Sequence, residues 1–94
     1  MLGKNIKFQH SSNLFHFCRR VLDDKCKGAK VIDQDIGQIL GLDPADCSNW
    51  KNGRKNVRAI QDIQKISDHL KVEPLLVTQV ANGNLTIDQA IAEY

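Results

Sequence analysis

The chain has 94 residues, a length that fits one domain with a modest hydrophobic core. Aromatic residues make up only 5% of it, so we expect an aliphatic core of the kind found in small helical bundles. The net charge of +2 is too small to indicate a partner by itself. Because the sequence has no long apolar run, we expect neither a membrane-spanning nor a secreted protein but a cytoplasmic one.

Residues 1–10 show no periodicity and are predicted to form a flexible N-terminal arm, which leaves residues 11–94 as a single domain. Ser11 and Ser12 supply an N-cap for a first helix over residues 13–27. Apolar residues recur along this helix at helical spacing and form an inner stripe: Leu14, Phe15, Cys18, Val21 and Leu22. The charged residues between them are expected to face outward.

Residues 33–53 predict two short helices joined by a tight turn. Their apolar residues, spaced by four, two, five and three positions, are Ile36, Leu40, Leu42, Cys47 and Trp50. One continuous helix does not produce this series, whereas two helices on a common core do. Gly37 stands where a side chain would meet the second helix, and Gly41 where a left-handed residue ends the first. Asp43 is the expected N-cap of the second helix, with Pro44 in its first turn.

Three further helices are predicted after this pair. A helix is predicted over residues 57–70, where apolar residues recur every three or four positions in a strong amphipathic pattern: Val57, Ile60, Ile63, Ile66 (or Ser67) and Leu70. Pro74 begins the next helix, and Thr86 caps a last one over residues 87–94. The expected fold is therefore all-α, a compact bundle of five to six helices. The last helical pattern reaches Tyr94 without a stop signal, which leaves open a further domain C-terminal to Tyr94 or packing of this helix on a second copy.

The charged residues are unevenly distributed along the chain. Residues 1–30 carry seven Lys or Arg against two Asp, and residues 31–50 carry four Asp and no basic residue. Residues 51–58 carry four basic residues and no acid, while residues 59–94 carry two basic residues against five acids. A solvated face is the commoner explanation of a single charge block. Two basic blocks on either side of the helix pair nevertheless favour a surface that contacts phosphate.

The helix pair carries Ile36-Gly37, Leu40-Gly41-Leu42, Cys47 and the stretch SNWKNG. At these residues the chain resembles the phage-repressor and Cro-like (XRE-type) helix-turn-helix domains, and the resemblance covers roughly residues 31–82. The chain departs from the family at Gly37, where alanine is usual, and in the acidic residues that open the second helix. The resemblance implies a lambda-repressor-like bundle whose second helix, residues 43–52, lies in the major groove of DNA.

The family's pattern implies four base contacts from the outward face of the second helix: Pro44, Ala45, Ser48 and Asn49. Asn49 is the best base reader among them, because its amide can bond adenine N6 and N7 together. The predicted phosphate contacts are Asp33, Gln34, Lys51, Asn52, Arg54, Lys55 and Arg58. Asp43 and Asp46 are explained as helix-capping residues, and their charge beside a groove walled by phosphates predicts modest sequence specificity.

The sequence carries no enzyme signal, since it has no glycine-rich phosphate loop, no HExxH and no catalytic set linked by spacing. Its three cysteines form no CxxC pair and are interpreted as free thiols, so no metal or other cofactor is expected. The resemblance to XRE-type domains, together with the charge distribution, implies a sequence-specific DNA-binding domain of a bacterial or phage transcriptional regulator. Two alternatives stay open: a protein-interaction or assembly module with the helix-turn-helix fold, and the N-terminal domain of a larger regulator.

The expected partner is double-stranded DNA, which domains of this type commonly bind as two-fold dimers on half-sites about one helical turn apart. A homodimer is therefore a candidate assembly. Its candidate contact residues are Leu75, Leu76, Val80 and Ile91. Packing in the core of the bundle is the commoner use of such residues.

Overall fold

The computed structural model describes residues 7–94, and over these residues the chain forms six α-helices and no β-strand. In chain order the helices are α1 (Gln9–Lys25), α2 (Asp33–Ile39), α3 (Pro44–Lys51), α4 (Ile60–Leu70), α5 (Pro74–Ala81) and α6 (Ile87–Glu93). The radius of gyration is 12.5 Å, close to the value of about 12 Å expected for a compact chain of this length. The prediction of a small all-α bundle is confirmed.

The predicted N-terminal arm, residues 1–10, falls mostly outside the described residues. Its last two residues, Gln9 and His10, already belong to α1. This helix therefore begins earlier than the predicted residue 13, and it also ends earlier, at Lys25. The predicted domain boundary after residue 10 thus cuts through the first turn of a helix.

The start of α1 is determined by a contact with a distant part of the chain. The backbone N–H of Phe8 donates to the Gly53 carbonyl at 2.8 Å, and no side chain caps this end of the helix. Ser11 and Ser12 lie inside the helix and are buried. The prediction that these serines form the N-cap is therefore wrong.

The central helix of the bundle is α1, which packs against every other helix. Because it is covered on several sides, its buried residues form more than one stripe. They are Ser11, Ser12, Leu14, Phe15, Phe17, Cys18 and Val21. The fully buried Phe17 was not part of the predicted stripe. The largest fully buried side chain of the core is Trp50 of α3, whose ring meets Phe15 edge to face at a centroid distance of 5.2 Å.

The predicted geometry of the α2–α3 pair is confirmed at three positions. A Cβ at Gly37 would stand 2.8 Å from Cys47 Sγ, so only glycine permits this approach of the two helices. Gly41 has a φ of +68°, and the Leu42 N–H donates back to the Gly37 carbonyl at 3.0 Å, which ends α2. Asp43 caps α3 by accepting a hydrogen bond from the Asp46 N–H at 2.8 Å.

The helix predicted over residues 57–70 begins only at Ile60. Val57 is fully buried, but it lies in the extended segment before α4, where its N–H donates to Ser11 Oγ at 2.9 Å. Ile60 is 85% exposed, so its assignment to the apolar stripe of this helix is wrong. The stripe is provided by Ile63, Ile66 and Leu70.

The last two helices match their predicted starts. Pro74 is the first residue of α5, and Thr86 caps α6 in a reciprocal pair of hydrogen bonds with Gln89. Of the candidate dimer residues, Leu76 and Val80 are buried in the core, whereas Leu75 is 68% exposed. Over residues 7–94, no helix has the length and apolar character needed to cross a membrane.

Candidate nucleic-acid interface

The outer face of α3 is polar and open to solvent. Pro44, Ala45, Ser48 and Asn52 are exposed, and Asn49 is half-buried. The opposite face carries the buried Cys47 and Trp50, which pack α3 against the core. All four residues predicted as base contacts thus lie on the side of α3 that a ligand can reach.

Two hydrogen bonds link the polar side chains of this face. Arg54 Nε donates to Asn49 Oδ1 at 3.1 Å, and Asn52 Nδ2 donates to Ser48 Oγ at 3.2 Å. The guanidinium of Arg54 therefore orients the amide of Asn49, the residue for which the sequence predicts the most specific base contact. A predicted base contact and a predicted phosphate contact are thus hydrogen-bonded to each other.

The backbone at the C-terminal end of α3 brings this arginine into position. Gly53 has a φ of +75°, and its N–H donates to the Trp50 carbonyl at 3.2 Å. The Arg54 N–H reaches back to the Asn49 carbonyl at 2.7 Å, which completes a Schellman motif. The chain then continues as the basic segment, residues 54–58, in which Arg54 and Arg58 are exposed and Lys55 is half-buried.

The first turn of α1 holds the basic segment in place. Ser11 Oγ donates to the Lys55 carbonyl at 2.7 Å, and Ser12 Oγ donates to the Lys51 carbonyl at 2.7 Å. The indole N–H of Trp50 donates to the Ser11 carbonyl at 2.8 Å. These buried polar contacts fix the backbone from which the cations project, because an unmade hydrogen bond at a buried site is costly.

This role of the two serines was not predicted from the sequence. A signal for it exists in the chain. Ser11 precedes Leu14 and Phe15 by three and four residues, and this spacing places it on the buried face of a helix that begins before it. A serine on such a face needs a partner, and backbone carbonyls of another segment supply it here.

The cation at the end of α3 has a different environment. Lys51 Nζ lies 2.8 Å from Asp33 Oδ2, and Arg19 pairs with the other carboxylate oxygen while donating to the Val31 carbonyl at 2.8 Å. The hydrogen bond from Lys51, together with the nearby charges of Lys51 and Arg19, holds the pKa of Asp33 below its ordinary value against the opposing effect of burial. Arg19, which the sequence analysis expected to face outward, is half-buried in this cluster.

The structure therefore divides the predicted phosphate contacts into two sets. Asn52, Arg54, Lys55 and Arg58 lie at or beyond the C-terminal end of α3. In the other set Asp33 and Lys51 bind each other, and Gln34 Nε2 donates to the Leu42 carbonyl at 3.0 Å. The side chains of the second set are engaged within the protein, and their contact with phosphate stays a prediction.

Comparison of the chain with models of known protein families, with curated proteins and with solved structures gave no significant match. The resemblance to XRE-type domains thus stays a prediction from the motif residues.

The N-terminal end of α3 is acidic. Asp43 and Asp46 lie there beside the exposed Pro44 and Ala45, and the Asp43 carboxylate is directed at the backbone as a cap. Two of the predicted base contacts therefore share this end with two carboxylates. The other two, Ser48 and Asn49, lie toward the basic end.

The cysteines are free thiols in the described part of the chain. Burial raises the pKa of the Cys18 thiol and that of Cys47, so both are protonated at neutral pH. The Cys47 thiol donates to the Asp33 carbonyl at 3.1 Å. Within residues 7–94, no group of three or more His, Cys, Asp or Glu residues is arranged to hold a metal ion.

Proposed function

We propose that this chain is a DNA-binding domain that contacts the duplex with the outer face of α3 and with the basic segment. One observation carries the proposal. The exposed polar residues of α3 continue directly into the cations of the basic segment, and the Arg54–Asn49 hydrogen bond couples the two. A surface that binds DNA needs both kinds of contact, since phosphates position the protein and base edges supply specificity.

The basic segment accounts for affinity. Contact of Arg54, Lys55 and Arg58 with one phosphate each would give a slope of about −3 in a plot of log affinity against log salt concentration. Lys51 is expected to add little, because Asp33 already neutralises it at 2.8 Å. Nonspecific binding of this kind typically has a Kd of roughly 1–100 μM at physiological salt.

Specificity is expected to be modest and to come from the C-terminal half of α3. Asn49 offers an amide for an adenine, and Ser48 offers a hydroxyl that donates or accepts. The carboxylates of Asp43 and Asp46 repel the phosphates that wall the groove. We therefore infer that α3 approaches DNA with its basic end foremost, as part of a bacterial or phage transcriptional regulator that acts by occupying its site.

A second candidate function is a protein-interaction or assembly module with the same fold. The acidic N-terminal end of α3 favours it, as do two exposed apolar side chains, Ile60 on α4 and Leu75 on α5. A partner that docks on α4 and α5 would be insensitive to charge reversal in the basic segment. DNA binding would be lost by the same change.

The test of the main proposal is fluorescence anisotropy of a labelled random-sequence duplex, titrated with the protein at 50 mM and at 200 mM salt. The expected result is binding at low salt that weakens by about 60-fold or more at the higher concentration, as a slope of about −3 or steeper requires. Selection of a preferred sequence would follow. The result that overturns the proposal is absence of binding at 50 mM salt, where nonspecific attraction to phosphate is strong.

A further inference from the structure

A cleft of about 280 Å³ lies between the first turn of α1 and the basic segment. Its polar lining includes Lys7, Gln9 and His10 on one side and Asn56 and Arg58 on the other. No acidic side chain is among the described residues that line it. The cleft thus combines cationic and neutral donor groups, a composition that suits a phosphate oxygen.

The positions of the donors are restrained by the fold. The Phe8 N–H bonds the Gly53 carbonyl at 2.8 Å, and the Lys7 ammonium lies 5.6 Å from the centroid of the Phe8 ring. The imidazole of His10 rests against Gly83, so closely that a side chain at Gly83 would overlap the ring. An imidazole can donate a hydrogen bond in either protonation state.

The cleft continues the surface proposed to contact DNA. Its far wall is Arg58, the last cation of the basic segment, and Ser11 joins the two walls by bonding the Lys55 carbonyl and the Val57 N–H. A DNA strand that follows the cations from Arg54 to Arg58 would therefore reach the cleft next. The line of cations extends beyond the helix pair.

We propose that this cleft binds a backbone phosphate of the duplex, with Lys7 and His10 as its added contacts. The proposal rests on the proposed function and enlarges its binding surface from α3 to the first turn of α1. Neither residue belongs to the contact set predicted from the helix pair. The two side chains would add affinity and salt dependence without adding sequence specificity.

The test is a double variant, Lys7→Gln with His10→Gln, measured by duplex anisotropy over a range of salt concentrations. Both residues are exposed, so the fold should be retained, and circular dichroism checks this. The expected result is a two- to fivefold weaker affinity at 50 mM salt and a slope shallower by about 1, the change produced by loss of one phosphate contact. The matched control is Lys65→Gln, an exposed lysine of α4 outside the cleft, which should leave the slope unchanged.

Three results would overturn the inference, and they differ from one another. Wild-type affinity and slope in the double variant, with normal binding by the wild type, would reject the cleft and leave the proposed function intact. Absence of duplex binding by the wild type would reject both. Inorganic phosphate added at matched ionic strength should compete with the duplex for the cleft, so we expect it to weaken duplex binding by the wild type more than by the double variant. An equal loss in both proteins would place the competing anion outside the cleft and overturn the inference.

Discussion

The two ends of α3 differ in charge and in the way they are held. At the N-terminal end, Asp43 caps the helix through the Asp46 N–H, and the local charge is negative. At the C-terminal end, Gly53 turns the chain so that the cations of the basic segment follow directly. Both ends are exposed, but only the second is suited to a polyanion. The exposure of α3 therefore does not show that DNA would contact the helix along its whole length.

The ends also differ in what supports them. The C-terminal end is tied to α1 by the indole of Trp50 and by the hydroxyls of Ser11 and Ser12. The N-terminal end has its own cap, the close approach of Gly37 to Cys47 and the hydrogen bond from the Cys47 thiol to the Asp33 carbonyl. The basic end of α3 is therefore tied to the central helix α1, whereas the acidic end is tied to α2.

The largest effect is expected from loss of the support at the basic end. Trp50→Ala should lower the free energy of unfolding by about 3–5 kcal/mol, since it empties a fully buried site and removes the indole N–H that donates to the Ser11 carbonyl. Urea denaturation followed by circular dichroism measures this, because Trp50 is the only tryptophan and its fluorescence is lost. Leu75→Ala is the control, with an expected change below about 0.5 kcal/mol at an exposed site. Similar values for the two variants would contradict the prediction.

Charge reversal in the basic segment should have the next largest effect. Arg54→Glu combined with Lys55→Glu should weaken duplex binding at 50 mM salt by more than tenfold, because two attractive phosphate contacts become repulsive. Anisotropy measures the change. Lys65→Glu with Lys71→Glu, an equal charge change on and just after α4, should weaken binding less than threefold. Equal losses would show that net charge, rather than the position of the basic segment, determines affinity.

Gly37→Ala should destabilise the fold by about 1–2 kcal/mol. The added Cβ would stand 2.8 Å from Cys47 Sγ and 2.9 Å from its Cβ, and this overlap exceeds the gain of about 1 kcal/mol in helix propensity. Chemical denaturation measures the loss. Adding Cys47→Ala to Gly37→Ala should recover part of the lost stability, because the Cys47 Sγ atom, the nearer of the two overlapping atoms, is removed. Strict additivity of the two changes would argue against the contact.

Asp33→Asn should destabilise the protein at pH 7 by up to about 1 kcal/mol, because its pairs with Arg19 and Lys51 are partly exposed. The folded state lowers the pKa of Asp33, so the stabilisation is present above the ordinary carboxyl range. This stabilisation is lost progressively as the pH falls from about 4, the ordinary carboxyl pKa, through the lowered pKa of Asp33 in the folded state. Urea unfolding at pH 7 and at pH 3 should therefore show a larger difference between wild type and variant at pH 7 than at pH 3. A difference of equal size at both values would exclude the ion pair as its source.

The smallest effect is expected at the acidic end of α3. Asp46→Asn should strengthen duplex binding about two- to threefold at 50 mM salt by removing a charge that repels phosphate. The cap is retained, since it uses the backbone N–H of this residue. Asp68→Asn on α4 is the matched control and should leave affinity unchanged. A weaker affinity for Asp46→Asn would instead indicate that this carboxylate accepts a hydrogen bond from a base.

The helix pair was predictable because its determinants act over short distances. The roles of Gly37 and Gly41 were predicted from their spacing to the apolar residues, and Asp43 caps the helix that begins one residue later. Each of these effects depends on neighbours within about one turn or on the adjacent helix. The local sequence was therefore sufficient to predict the helix pair.

The support of the basic end was not predictable in the same way. Residue type made Ser11 and Ser12 look like caps, but the Phe8–Gly53 hydrogen bond starts α1 earlier and turns both hydroxyls toward Lys51 and Lys55. Those partners lie about 40 residues away in the chain. The pairing of Lys51 with Asp33 likewise joins α3 to α2. Such distant contacts determine which cations stay available for a ligand. They cannot be predicted from the periodicity of apolar residues.

The most direct test of DNA binding through the basic end of α3 is a nitrogen–proton correlation spectrum of the labelled protein, titrated with a short duplex at low salt. We expect shifts of the backbone amides in residues 48–58 and in the first turn of α1, with little change around Leu75 on α5. Shifts confined to the α4–α5 surface, or an unchanged spectrum, would contradict the assignment of this face.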